Sequence, residues 1–170
     1  MDGIMAALVL GAALLDMGLT HCPTGCLAPG ETPVRWSLSS GAAVFQDEDR
    51  GGEIFLRRDA GLRLGPFQPT LGASLTSEGA AWVGAGALYT LGRPRSVYLQ
   101  GHVMPGLYDP GGGGPDLGGT LQFRSGLEIG YETAAGLRFG LAIDHRSNAD
   151  IYGTNPGLET LQFRVSFPEF

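Results

Sequence analysis

Hydrophobic and polar residues alternate one by one along most of the chain from Pro33 onward. The period is therefore two residues, as in a β-strand, and not the 3.6 residues of an α-helix. The alternation runs through residues 54–64, 120–131 and 137–144. It is clearest in the last segment, where one face carries Leu161, Phe163, Val165 and Phe167 and the other carries Thr160, Gln162, Arg164 and Ser166. The pattern predicts β-strands that each have one apolar and one polar face.

The alternating segments predict eight strands joined by connections of two kinds. The strands are expected near residues 33–45, 52–64, 68–76, 80–90, 95–104, 118–132, 136–146 and 158–168. The connections after the second, fourth and sixth strands are tight, whereas those at residues 46–51, 105–116 and 147–157 are polar and mostly longer. Short turns at one end and long loops at the other are typical of outer-membrane barrels with an even number of strands. The predicted fold is an all-β, eight-stranded antiparallel transmembrane up-and-down β-barrel.

The composition of the polar face favours a membrane barrel over a soluble β-sandwich. Charged residues make up only 16% of the chain, and lysine is absent, whereas soluble domains contain roughly 25% charged residues. Single Arg, Asp, Glu and Gln residues are interleaved with Gly and Ala, which suits a narrow barrel interior where side chains interdigitate. The net charge of −6 excludes nucleic-acid binding of the usual kind, because that requires a basic surface.

The N-terminal segment differs from the rest of the chain. No uninterrupted run of 18 apolar residues occurs, so no helical membrane span is expected. The apolar run at residues 4–15 has the length of a signal-peptide core, although Asp2 stands where a basic residue is usual. We predict that residues 1–30 are a leader and lead-in segment and that residues 31–170 form the barrel.

Two cysteines follow this apolar run. Cys22, Cys26 and the neighbouring His21 are too few for a four-ligand metal site. A disulfide bond across a short loop, or removal of the segment during processing, accounts for them. The sequence therefore predicts no metal and no other cofactor.

Candidate chemistry lies at the end of the seventh predicted strand. His145 and Ser147 are two residues apart, so on a strand they point to the same face. With a rise of about 3.3 Å per residue, their Cβ atoms lie roughly 6–7 Å apart, within reach of an imidazole–hydroxyl contact. Glu159, at the start of the last strand, can lie beside them across the hairpin. A hydroxyl, a base and an orienting carboxylate together suggest nucleophilic catalysis.

The position of these residues in the alternation also predicts the face of the barrel on which they lie. His145, Ser147 and Glu159 continue the apolar series of their strands, so all three are expected to face lipid. Ionisable residues are costly on the lipid face of a barrel and therefore suggest a function there. The alternative interpretation is an ordinary polar loop with an Asx turn. Arg146 and His102 fall on the polar face of their strands and are therefore expected to point into the lumen. Arg146 is expected to pair there with Asp144 or Glu128.

The spacing of polar residues around this strand resembles one known family. The motif consists of His145-x-Ser147-Asn148, Asn155-Pro156, and Glu159 fourteen residues after the histidine. It is similar to that of the PagL-type lipid A deacylases, also described as acyloxyacyl hydrolase-like, which are eight-stranded outer-membrane barrels. The resemblance is tightest over residues 136–170 and extends through the strand count to residues 33–170.

The resemblance implies a reaction and a role for each residue. Ser147 would be the nucleophile, His145 the base, and Glu159 the carboxylate that orients the base. Asn148 would lie at the oxyanion site, through its backbone N–H, its side chain or both. The implied reaction is hydrolysis of the ester-linked acyl chain at position 3 of lipid A, without a metal. The implied partners are lipopolysaccharide and the bacterial outer membrane.

Two rival functions stay open at this point. A non-enzymatic small barrel could bind a partner through its extracellular loops, and it would not need Ser147. A phospholipase-like barrel ranks third, because the only clustered loop carboxylates that could bind calcium are at residues 47–49. The sequence also leaves open whether the barrel acts alone or as a homodimer.

Overall fold

A computed structural model describes residues 3–169 of the chain. It contains one N-terminal α-helix, α1 (Ile4–Asp16), which continues as a π-helical turn (Met17–His21) and a 3-10 turn (Cys22–Thr24). The strands that follow are β1 (Pro29–Glu31), β2 (Arg35–Phe45), β3 (Glu48–Asp59), β4 (Leu62–Leu64), β5 (Phe67–Thr76), β6 (Ala81–Gly92), β7 (Val97–Asp109), β8 (Leu121–Glu132), β9 (Arg138–Ser147) and β10 (Leu158–Pro168).

Eight of these strands close into a barrel. The antiparallel order is β2-β3-β5-β6-β7-β8-β9-β10, and β10 returns to β2 with a register from Leu158 opposite Phe45 to Pro168 opposite Arg35. The short strands β1 and β4 form a separate pair, and β4 is joined to the barrel through β5. The predicted eight-stranded antiparallel barrel is therefore confirmed.

The barrel has two different ends. The turn end carries the connections at residues 60–66, 93–96 and 133–137, together with the start of β2 and the end of β10. The loop end carries the connections at residues 46–47, 77–80, 110–120 and 148–157. The two longest connections in the described barrel, 110–120 and 148–157, are therefore neighbours at the loop end, on either side of β8 and β9.

Two predicted loops differ from the structure. Residues 46–51 were expected to be a polar loop, but only Gln46 and Asp47 connect β2 to β3. Both have positive φ angles, 51° and 65°, as a type I′ turn requires. Because neither is glycine, the sequence lacks the usual signal for that tight turn.

The second difference concerns β7, which was expected to end at residue 104. It continues through Pro105 to Asp109. Proline cannot donate a backbone hydrogen bond, so strands accept it mainly at edges and irregularities. Here the pairing of β6 with β7 is interrupted between Gly106 and Val103. Pro105 lies within that interruption.

Buried and exposed residues alternate along the strands, in step with the alternation of polar and apolar residues in the sequence. In β9, Leu141 and Ile143 are 58% and 45% exposed on the outer surface, whereas Ala142 and Asp144 are buried in the lumen. Large aliphatic side chains are exposed on every wall of the barrel, including Leu38, Ile54, Leu71, Val83, Leu99, Leu127 and Leu161. An outer surface of this kind is stable in hydrocarbon, and closure of the sheet leaves no unpaired strand edge there.

The lumen is filled by paired charges, and Glu53 accepts four hydrogen bonds there. Its Oε1 accepts hydrogen bonds from Arg124 Nη2 at 2.7 Å and Gln162 Nε2 at 2.8 Å. Its Oε2 accepts from Arg146 Nη2 at 2.5 Å and Ser74 Oγ at 2.9 Å. Glu53 therefore joins β3 to β5, β8, β9 and β10 across the interior.

The lumenal pairing corrects one expectation. Arg146 pairs with Glu53 rather than with Asp144 or Glu128. Asp144 instead accepts from Arg124 at 2.6 Å, and Glu128 accepts from Arg164 at 2.6 Å. Glu53 lies across the lumen on β3, which does not neighbour β9 in the sheet, so the sequence around Arg146 does not indicate this partner.

The N-terminal helix lies against the outer face of β7 and β8. Its buried residues are Met5, Val9 and Ala13, which are spaced four apart and face the barrel. Val9 packs directly against the backbone of Gly101. A Cβ at position 101 would lie only 2.4 Å from Val9 Cγ2, so the close contact requires glycine there.

The helical segment Ile4–Thr24 is long and apolar enough to cross a membrane by length and composition. It differs from the expectation of no helical span, because Asp16 and other polar residues interrupt the apolar run while the mean hydropathy of the segment stays high. A signal sequence meets the same criterion. Cys22 and Cys26 are joined by a disulfide bond, which was one of the two interpretations of these cysteines.

We predict that Glu53→Ala destabilises the barrel by about 3–5 kcal/mol, because it leaves buried arginines without their shared carboxylate. The urea midpoint of unfolding in detergent micelles, read from the heat-dependent gel shift of the folded barrel, measures this change. Glu48→Ala is the control, since Glu48 is exposed at a turn and should change stability by no more than about 0.5 kcal/mol. Equal midpoints for the two variants would contradict a stabilising role for Glu53.

Candidate functional site

The last residues of β9 alternate between the lumen and the outer surface. Asp144 and Arg146 enter the lumenal charge network. His145 and Ser147 point the other way and line a cavity on the outside of the barrel. The strand register places His145 between Ser125 of β8 and Glu159 of β10. The expectation that His145 and Ser147 face outward is therefore met by the structure.

His145 and Glu159 form a close pair on this outer face. Their Nδ1 and Oε1 atoms are 3.0 Å apart, with the histidine side chain 2% exposed and the glutamate side chain 29% exposed. A carboxylate at Nδ1 favours the tautomer that carries its proton there, which leaves a lone pair on Nε2. His145 Nε2 is buried and has no hydrogen-bond partner among residues 3–169. Nε2 is therefore placed to accept a proton.

Ser147 lies in the same cavity without touching that nitrogen. The structure has no hydrogen bond between Ser147 Oγ and His145 Nε2. Such contacts are often long in unliganded enzymes and shorten when substrate binds. The cavity has a volume of about 480 Å³ and is lined on the barrel side by Val103, Phe123, Ser125, His145, Ser147, Ala149, Asp150 and Asn155. Gly3, Ala6 and Leu10 of the N-terminal segment line its outer side.

Asn148 is engaged in holding the loop that follows β9. It is fully buried, and its backbone N–H donates to Asn155 Oδ1 at 3.0 Å. Its side-chain Nδ2 donates to Leu117 O at 2.8 Å and to Thr154 O at 2.6 Å. All three of its N–H groups are therefore used inside the protein. Asn148 acts here as a support, and neither its backbone nor its side chain offers a donor to the cavity.

Asn155 offers the donor that Asn148 does not. Its Oδ1 is held by the Asn148 N–H, and the residue lines the same cavity as His145 and Ser147. Its Nδ2 makes no hydrogen bond to any described residue. The sequence drew attention to Asn155 as part of a motif but gave it no role. An Asn-Pro pair in the loop between the two site strands was the available signal.

Gly157 allows the loop to pass closely over the histidine. A Cβ at this position would lie 2.6 Å from His145 Cε1 and 3.4 Å from Glu159 Oε1. Any larger residue would therefore displace either the imidazole or the loop. On the lumen side, Arg146, the residue between His145 and Ser147, is held by its hydrogen bond to Glu53. The site is thus constrained from both faces of the sheet.

No group of three or more His, Cys, Asp or Glu side chains in residues 3–169 could hold a metal ion. The titratable residues of the cavity are His145, Asp150 and, through its pairing with the histidine, Glu159. Its remaining polar groups are hydroxyls and a carboxamide. This combination of groups suits proton transfer and nucleophilic attack.

A sequence profile described as Lipid A 3-O-deacylase (PagL) matches residues 68–168. The chain belongs to the PagL family. The matched region includes every candidate site residue, from Ser125 on β8 to Glu159 on β10. As the family and the barrel architecture indicate, this PagL family member is an outer-membrane protein.

Solved structures similar to this family member have the same fold. The crystal structure of the outer membrane enzyme PagL is 16% identical, with a TM-score of 0.59, over 78% of this chain and 99% of that one. Neisserial surface protein A is 14% identical, with a TM-score of 0.52, over 84% and 99%. A de novo designed transmembrane barrel, TMB2.3, is 13% identical, with a TM-score of 0.53, over 83% and 97%. At these identities the likeness concerns the fold alone. The search of curated protein sequences found no match to the chain.

Proposed function

We propose that this protein is a serine esterase that hydrolyses the ester-linked acyl chain at position 3 of lipid A. The observation that carries the proposal is the His145–Glu159 pair on the lipid-facing wall, beside the hydroxyl of Ser147, in a chain of the PagL family. A barrel that only bound partners through its loops would have no need of an ionisable pair on its apolar face.

In this proposal each member of the triad has a role. Ser147 Oγ attacks the ester carbonyl carbon while His145 Nε2 accepts the hydroxyl proton. The imidazolium formed is stabilised by Glu159 at Nδ1. When the tetrahedral intermediate collapses, the bond to the sugar oxygen breaks and His145 returns the proton to that oxygen. Water, activated by the same histidine, then releases the fatty acid from Ser147.

We propose Asn155 as the donor that stabilises the negative oxygen of the tetrahedral intermediate. Its Nδ2 has no hydrogen-bond partner among residues 3–169, and its Oδ1 is fixed by the backbone of Asn148. A fixed donor needs little reorganisation during the reaction, and its effect is greater in a low-dielectric site. Asn148 then contributes indirectly, by holding Asn155 and the loop in place.

The position of the site in the membrane suits this substrate. Short turns face the periplasm in outer-membrane barrels, and longer loops face outward. The cavity lies beside the loops at residues 110–120 and 148–157, so it is level with the outer leaflet. Lipopolysaccharide occupies that leaflet. Its ester-linked chains can therefore reach Ser147 from within the membrane.

We predict that Ser147→Ala abolishes deacylation. Wild-type protein expressed in an outer membrane should remove one ester-linked acyl chain from lipid A, and mass spectrometry of extracted lipid A measures the loss. Ser40→Ala is the matched control, since Ser40 also faces outward but lies on β2. Deacylation by Ser147→Ala at the wild-type level would rule out this nucleophile. A folded wild-type barrel that leaves lipid A intact would favour the non-enzymatic alternative.

We predict that Asn155→Ala lowers kcat by about 10²- to 10³-fold, the usual effect of losing an oxyanion donor. The KM should change little, because the interaction forms mainly in the transition state. Steady-state kinetics on purified protein in micelles separates the two constants. Ile151→Ala, at an exposed position of the same loop, serves as the control for loop disturbance. A kcat within a few-fold of wild type would exclude Asn155 as the donor.

We further propose that residues 1–30 contain a leader that is removed during export. The helix α1 covers the outer side of the cavity, so its removal would open the site to lipid. Protein purified from outer membranes should therefore have an intact mass below the 17.8 kDa of the whole chain. Recovery of the whole chain, with its N-terminal helix, would contradict this proposal.

A further inference from the structure

The charges at the two ends of the barrel differ in sign. The loop end, at residues 46–50, 77–80, 109–120 and 148–157, contains seven carboxylates and one arginine. Its net charge of −6 equals that of the whole chain. The charges of the lumen, the N-terminal segment and the turn end therefore balance one another.

Three arginines lie in the turns at the opposite end. The connections at residues 60–66, 93–96 and 133–137 contain Arg63, Arg93 and Arg95 and no carboxylate. All three arginines are exposed, and none forms an ion pair with a carboxylate in residues 3–169. The lumenal arginines, by contrast, pair with buried carboxylates. The guanidinium groups of the turns are thus available to an anion from outside the protein.

A fourth arginine, Arg58, lies on the outer face where β3 ends. It is opposite Trp36 in the register, and its guanidinium carbon lies 5.6 Å from the centre of a ring of the indole. Tryptophan is typical of the level at which a membrane protein meets the lipid headgroups. Arg58 pairs with Glu169 at 3.0 Å. Glu169 and Glu31 are the exposed carboxylates of the barrel at this end, so four arginines leave its outside with a net charge of +2.

Apolar side chains are exposed beside these arginines. Leu62 and Leu64, on either side of Arg63, are 43% and 37% exposed, and Phe167, which pairs with Trp36, is 44% exposed. Arginine can keep its guanidinium among headgroups while apolar groups beside it enter hydrocarbon. A small anion in water would cover the arginines and leave the leucines exposed. A membrane surface accepts both kinds of side chain, so it is the occupant that this end of the barrel fits.

We infer that the turn-end surface, defined by Arg58, Arg63, Arg93 and Arg95, binds anionic phospholipids in preference to zwitterionic ones. Short turns of outer-membrane barrels face the periplasm, so this surface is level with the phosphates of the inner leaflet. Guanidinium groups bind phosphate through paired, charge-assisted hydrogen bonds. An anionic headgroup such as phosphatidylglycerol has no cationic group that the arginines would repel. The inference does not depend on the proposed esterase function.

The test measures lipid binding to the folded protein. Wild-type protein in detergent micelles is titrated with phosphatidylglycerol or with phosphatidylcholine of the same acyl chains, and native mass spectrometry gives the apparent Kd for each lipid. The Kd for phosphatidylglycerol should be about fivefold lower, the effect of roughly one favourable charge contact. Combining Arg63→Gln, Arg93→Gln and Arg95→Gln should make the two Kd values nearly equal.

Two control variants separate the charge of the side chains from their place in the barrel. Combining Arg63→Lys, Arg93→Lys and Arg95→Lys retains the positive charges and should keep the preference for phosphatidylglycerol. Arg50→Gln removes a charge at the loop end, where Arg50 pairs with Glu48, and should leave the preference unchanged. The heat-dependent gel shift confirms that each variant is folded.

Four results would overturn the inference. The first is equal Kd values of the wild type for the two lipids, and the second is an unchanged preference in the folded glutamine variant. Loss of the preference in Arg50→Gln would attribute it to the total charge of the chain and not to the turn end. Full displacement of phosphatidylglycerol by an equal concentration of inorganic phosphate would indicate a site for free phosphate in place of a membrane surface. None of these results bears on the esterase proposal, which is tested on lipid A.

Discussion

The hydrogen bonds to Glu53 hold together a barrel whose interior contains charge. This carboxylate accepts bonds from groups on β5, β8, β9 and β10, so it joins both halves of the lumen. One of its partners, Arg146, is the residue between His145 and Ser147. Because neighbouring residues of a strand point to opposite faces, fixing Arg146 inside also fixes the two site residues outside. The interior network therefore contributes to the precision of a site that faces lipid.

The outer face combines two requirements that normally exclude each other. Most of its residues must be apolar to meet hydrocarbon, yet the proposed hydrolysis of an ester requires polar groups. The structure concentrates those groups at the loop end of β8, β9 and β10, where His145 is buried beneath the loop and pairs with Glu159. Ionisable groups are tolerated better near the interface than at the centre of the membrane. The proposed hydrolysis would thus take place where the lipid chain enters the membrane.

The alternation of residue types was enough to predict the barrel, its strand number and the outward direction of His145 and Ser147. It could not predict the partner of Arg146, since Glu53 is 93 residues away in sequence and on the opposite wall. It also missed the Gln46–Asp47 turn, whose positive φ angles carry no glycine signal. The contrasting roles proposed for Asn148 and Asn155 depend on which N–H groups the folded loop already uses, and the residue types alone do not determine that.

The loop that carries Asn155 is not an independent unit. The Leu117 carbonyl, in the neighbouring loop, accepts a hydrogen bond from Asn148 Nδ2 at 2.8 Å and another from Gln122 Nε2 at 3.1 Å. This carbonyl therefore links the loop at residues 110–120 both to the loop at residues 148–157 and to β8. Insertions or deletions in residues 110–120 would therefore be expected to disturb Asn148 and, through it, the position of Asn155. Engineering by loop exchange would likewise have to transplant the two loops as a pair.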